Sequence, residues 1–138
     1  MDYIIKPYEG VGNIRLGMNS DQIQEIMSVG PRKFHKNRDD EYYTDAYETF
    51  YVYYKSPGIC EAIEFFRPSN ITFNGVKLLS KPYSELVNYF ASLDKNIEKL
   101  ETGIISYKAG ISIYAPFAET EPLTPPEGIM IFEKGYYD

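Results

Sequence analysis

The one histidine, His35, and the one cysteine, Cys60, bound the chemistry open to this chain. A single imidazole excludes a His-paired metal site and leaves one candidate for acid–base work near neutral pH. It stands among Arg32, Lys33, Lys36 and Arg38, where a surface role is the expectation. Nothing around Cys60 and His35 forms a nucleophile–base signature. Cys60 lies in the apolar run Ile59-Cys60-Glu61-Ala62-Ile63 and reads as a small buried hydrophobe. Lacking a second cysteine, it can form neither an internal disulfide nor a zinc knuckle. No serine sits in a nucleophile elbow, and Gly10-Val11-Gly12 leads into neither a P-loop lysine nor a dinucleotide-type third glycine. The expectation is a protein that is not an enzyme, with no catalytic residues, cofactor or metal.

Carboxylates are what the chain has in excess: twenty Asp and Glu against fourteen Lys and Arg, a net charge of −6. They are densest from Asp39 to Glu48, where five carboxylates and three tyrosines occur with no base. Asp39, Asp40 and Glu41 are adjacent and lack the spacing of a calcium loop. One reading is a solvated acidic loop. A second is a contact surface formed by Asp39, Asp40, Glu41, Tyr42, Tyr43 and Asp45, in which rigid tyrosine rings supply area and carboxylates steer a basic partner, and weak metal binding is a third. A nucleic-acid surface is disfavoured, because phosphate contacts need clustered Lys and Arg. Pro116 to Glu127, with four prolines and three glutamates, reads as an exposed loop.

The elements that must position these residues are marked locally. Ile14 to Pro31 spells a short helix: Asn19 caps it, Gln22 returns the hydrogen bond, Met18 and Ile23 take the staple positions, and Gly30-Pro31 ends it. Ser80 to Leu93 predicts a second helix, with Pro82 in its first turn and an apolar stripe of Tyr83, Leu86, Val87, Phe90 and Leu93. Lys95 to Glu101 extends or frays it. Strands are expected at Tyr3 to Lys6, at Thr49 to Tyr54 paired with Ile59 to Phe66, on both sides of Asn74-Gly75, at Ile104 to Tyr107 paired with Ile111 to Ala115, and at Ile129 to Glu133. Alternation in the second of these places Ile59, Glu61, Ile63 and Phe65 on one side and Cys60, Ala62, Glu64 and Phe66 on the other. Gly10 to Asn13 reads as a flexible connection.

Residues 1–138 are one domain's length, and 43% hydrophobic residues, among them 14 Tyr and 8 Phe, suffice for one core. Hairpins interrupted by two helices predict an α+β fold: an antiparallel sheet with both helices packed on one face, a faint duplication of a helix-plus-strands unit, and tyrosines decorating the free face. No apolar stretch approaches the eighteen residues of a membrane span, and the N-terminus lacks a secretory signal, so a cytoplasmic location is expected.

Ile14-Arg15-Leu16-Gly17-Met18, the polar cap, the helix with Ile23 and Ile26, and Gly30-Pro31 resemble the opening helix motif of BamE-type and β-lactamase-inhibitor-protein-type domains. With the tyrosine-rich hairpin and Phe73-Asn74-Gly75-Val76 before the second helix, the pattern also looks like small cytoplasmic immunity proteins of polymorphic-toxin systems. The chain departs from the outer-membrane lipoproteins in having no signal or lipidation cysteine. The resemblance implies a non-catalytic binding protein that occludes a toxin. The alternative is a small-molecule carrier or sensor whose rings line a pocket between helices and sheet. A homodimer through a free sheet face or edge is compatible with either.

Overall fold

The computed structural model describes residues 2–138. Its elements are β1 (Asp2–Lys6), β2 (Gly10–Val11), β3 (Ile14–Arg15), α1 (Ser20–Met27), β4 (Arg32–Phe34), β5 (Thr44–Ala46), β6 (Phe50–Lys55), β7 (Ile59–Phe65), β8 (Asn70–Phe73), β9 (Val76–Lys77), α2 (Tyr83–Leu93), β10 (Glu98–Leu100), β11 (Gly103–Ser106), β12 (Ile111–Tyr114) and β13 (Gly128–Phe132). The fold is α+β. In place of one expected sheet there are two. The larger has the order β10-β11-β12-β13-β7-β6-β5-β4 and is antiparallel throughout. The smaller has the order β3-β2-β1-β8-β9, with β1 and β8 parallel. Gly10 to Asn13 is therefore no loose connection: it carries β2 and the tight turn into β3.

Each helix is followed by four strands, β4 to β7 after α1 and β10 to β13 after α2, and the two meanders join through their last strands, with Ile131 opposite Ile63. A short hairpin precedes each helix, β2–β3 and β8–β9. The second turns at Asn74 and Gly75, φ 51° and 79°, the left-handed pair that this dipeptide supplies at least cost.

The first helix starts as its cap dictates. The Asn19 side chain accepts from Gln22 N and the Gln22 side chain accepts from Asn19 N, both at 2.9 Å. It ends two residues earlier than expected, because Ser28 rather than Gly30 takes the left-handed C-cap, φ 60°. The second helix begins at Tyr83, after Pro82, and Lys95 to Glu101 does not prolong it but supplies the exposed edge strand β10.

Register across the large sheet assigns every residue a side. On the inner side Phe50, Phe65, Ile129 and Ile113 lie opposite one another in sequence of strands, beside the row Val52, Ile63, Ile131 and Ile111. These residues form one buried cluster with Ile23 of α1, Leu86 and Phe90 of α2, and Tyr3, Ile5, Ile71 and Phe73 of the small sheet. The far side carries the row Glu98, Ile105, Ser112, Met130, Glu64, Tyr51, Ala46 and Arg32, which crosses all eight strands. Tyr53, Ala62, Ile105 and Phe132 form a separate buried cluster there, with Tyr51, Met130 and Tyr136 packed around it.

The expected alternation of β7 is interrupted. Tyr53 faces Ala62 but Tyr54 faces Cys60, so Glu61 is the extra residue of a bulge. Cys60 consequently joins Ile63 and Phe65 in the inner cluster.

Candidate functional site

The outer side of the large sheet carries a second set of aromatic rings together with Glu61 and Glu64. Tyr51 packs edge-on against Phe34 and Phe66, at centroid distances of 5.4 and 4.9 Å. The segment Gly135 to Asp138 folds onto Phe132 through Tyr136 and Tyr137, at 5.9 and 5.0 Å. Gly135, φ 84°, permits the turn that brings them back.

Two clefts lie on this side. One, of about 320 Å³, is lined by Glu64, Ser112, Tyr114, Met130, Tyr136 and Tyr137 among others. The second, of about 260 Å³, lies between the segment 36–42 and the sheet, with Asp40, Glu41, Tyr42, Tyr53, Glu61 and Tyr136 in its walls. Lys36 and Tyr136 belong to both, so the clefts are continuous across one face.

The electrostatics of this face follow from burial beside carboxylates. Tyr53 donates its hydroxyl to Glu64 Oε1 at 2.6 Å; burial first and this bond second push the phenol well above its ordinary range. Burial, then the charge of Glu61, raises Tyr136 to about 12. The Glu61 carboxyl is raised by burial and then by Glu133, against the lowering effect of Lys55 and Lys36. Lys55 is paired with Glu133. The bulge at Glu61 turns this carboxylate into the second cleft, where regular alternation would have sent it inward.

Of the six residues that the sequence singled out, Asp39, Glu41 and Tyr43 are exposed and Asp40 and Tyr42 are half-buried. Asp40, Glu41 and Tyr42 line the second cleft, whereas Tyr43 stacks on His35 with centroids 4.2 Å apart. Asp45 departs from the group. Its register partners are Lys33 and Val52, which puts it on the inner side, and only 1% of its side chain reaches solvent. It accepts from Lys33 Nζ at 2.6 Å, from the Tyr54 hydroxyl at 2.7 Å and from Ser20 Oγ. Asp45 thus ties the start of α1 to β4 and β6 and offers nothing to a partner. Lys33 Nζ also donates to Ser20 Oγ at 3.2 Å, a further tie between β4 and the start of α1.

Sequence reasoning expected tyrosines on a free sheet face and set Glu64 beside Ala62, but singled out none of Tyr51, Glu64, Tyr114 and Tyr136 as site residues. The alternation in β6 carried a signal for Tyr51 and Tyr53; nothing in the sequence marked Tyr136, whose place depends on packing against Phe132. Among the described residues no group of three or more His, Cys, Asp or Glu is arranged to hold a metal ion, and no helix is long and apolar enough to cross a membrane. Comparison with protein-family models, curated proteins and solved structures finds no match to this chain.

Proposed function

We propose that this chain is a non-catalytic binding protein of the immunity type, which occludes a basic protein partner such as a toxin domain with the outer face of the large sheet. The observation that carries this reading is the aromatic and acidic outer face: Tyr51, Tyr114 and Tyr136 beside Glu61 and Glu64, with Asp40 and Glu41 in the wall of the second cleft. Tyrosine on a rigid sheet contributes contact area at small entropic cost, and carboxylates around it favour encounter with positive charge. Both helices contribute to the inner cluster, which supports their lying together on one side and leaving this face free. The repeated order of hairpin, helix and meander supports a duplicated unit as the origin of so wide a sheet.

The test is association with the basic protein that the tagged chain retains from its source cell, measured against ionic strength. Association slows as salt rises, since exposed charges are screened within about 8 Å at physiological ionic strength. Neutralising Asp39, Asp40 and Glu41 to Asn, Asn and Gln slows it further. A rate indifferent to both removes the face from the account.

One observation favours the second reading, a small-molecule carrier. The Tyr47 hydroxyl is buried without a hydrogen-bond partner, and its ring stacks on Phe50 at 4.9 Å. Both residues line an opening of about 360 Å³ with Tyr3, Met27 and Val29. A rise in melting temperature with a metabolite, lost in Tyr47→Phe, supports a carrier; a flat response across a metabolite panel counts against it.

A further inference from the structure

We propose that the cleft between residues 36–42 and the outer sheet face receives an arginine side chain of the basic partner, in the place where Lys36 now seats its own ammonium group. The inference rests on the outer face being the contact surface and names the group recognised there.

Lys36 Nζ lies 4.3 Å from the centroid of the Tyr53 ring. It has no carboxylate partner: the ion pairs among the described residues are Lys33 with Asp45 and Lys55 with Glu133. Yet Asp40, Glu41 and Glu61 stand in the walls of the same cleft. A cation is therefore held on a ring face and not by a carboxylate: Asp40 accepts from Asn37 N at 2.7 Å, Lys55 in the same cleft is paired with Glu133, and Glu61 has no ion pair among the described residues. The ring suits that task, because the Tyr53 hydroxyl donates to Glu64 and the hydrogen bond enriches the π-face that attracts positive charge. The arrangement recurs nearby, where Lys134 Nζ sits 5.5 Å above the ring of Tyr8, itself packed on Phe132.

Lys36 is a weak occupant. It is exposed and lies in the connection between β4 and β5, so its side chain can leave by rotation alone. A guanidinium is flat and less strongly hydrated than an ammonium; it can stack on Tyr53 and present paired N–H donors to the Glu61 carboxylate, which the β7 bulge aims into the cleft. Burial and Glu133 together oppose ionisation of Glu61, and an entering cation relieves that opposition.

Calorimetry with the blocked peptide acetyl-Gly-Arg-Arg-Gly-amide, and with its citrulline counterpart of nearly equal shape and no charge, tests this. Lys36→Ala is expected to bind the arginine peptide about 5-fold more tightly than the unmodified chain. Lys77→Ala removes the same charge from exposed β9 and is expected to change binding less than about twofold. Adding either Glu61→Gln or Tyr53→Leu to Lys36→Ala reverses the gain, and the citrulline peptide binds none of them. The inference is overturned if Lys36→Ala fails to bind the peptide, gains no more than Lys77→Ala, or accepts citrulline as readily as arginine. Near-UV circular dichroism confirms that each variant is folded. A partner held at the outer face with these results absent leaves the contact surface standing and removes the arginine site alone.

Discussion

Tyr53 and Glu64 meet on the outer side of the β6–β7 pair, the phenol donating to the carboxylate at 2.6 Å with Tyr53 buried beneath Lys36. A charge-assisted bond between half-enclosed groups contributes more than one at the open surface. A double-mutant cycle with Tyr53→Phe and Glu64→Ala is expected to show coupling of about 1–2 kcal/mol in urea unfolding. Coupling near zero contradicts the role assigned to this pair.

Asp45 is the acid with most to lose. Asp45→Ala leaves the Tyr54 hydroxyl and Ser20 without their acceptor, whereas half-exposed Lys33 can return to water. The expected loss is about 2 kcal/mol of stability, read as a lower urea midpoint at unchanged slope. Asp39→Ala, at an exposed position, is expected to stay within about 0.5 kcal/mol.

Alkaline pH acts on the buried hydroxyls. Tyr47 is raised to about 12, by burial and then Asp45, and Tyr136 to about 12, by burial and then Glu61. The neutral form is the one the fold favours, so these groups contribute stability that is complete below pH 10, their ordinary value, and is lost as pH rises towards 12. The urea midpoint is expected to fall between pH 10 and 12. A midpoint that stays level across that window contradicts the burial of these rings.

Cys60 is fully buried, and burial raises its thiol to about 12. A thiol reagent at pH 8 is expected to label it only under unfolding conditions. Rapid stoichiometric labelling of the folded chain contradicts its place beside Ile63 and Phe65.

The parts of this fold legible in sequence are those with local causes. The reciprocal Asn19 and Gln22 bonds, the Asn74-Gly75 turn and the hairpins around Ser56-Pro57-Gly58 and Lys108-Ala109-Gly110 depend on residues a few positions apart. Asp45 was masked by the acidic composition around it, since three-residue β5 is too short to display its alternation. The bulge at Glu61 is invisible within β7 because it exists only relative to β6. Leu93 continues the apolar stripe of α2 yet is exposed, because the helix ends there and the chain turns away into β10. For the candidate site, Asp40, Glu41 and Tyr42 could be read from composition, but their union with Glu61, Tyr53 and Tyr136 is made by long-range pairing and by the return of residues 135–138.

Site-specific photo-crosslinking in the source cell tests the central claim most directly. A benzophenone side chain is placed at Tyr114 on the outer face or at Leu93 on α2, both exposed. The account predicts one adduct with a basic protein from position 114, diminished by added salt in lysate, and none from position 93. An adduct from position 93 with none from position 114 would contradict it.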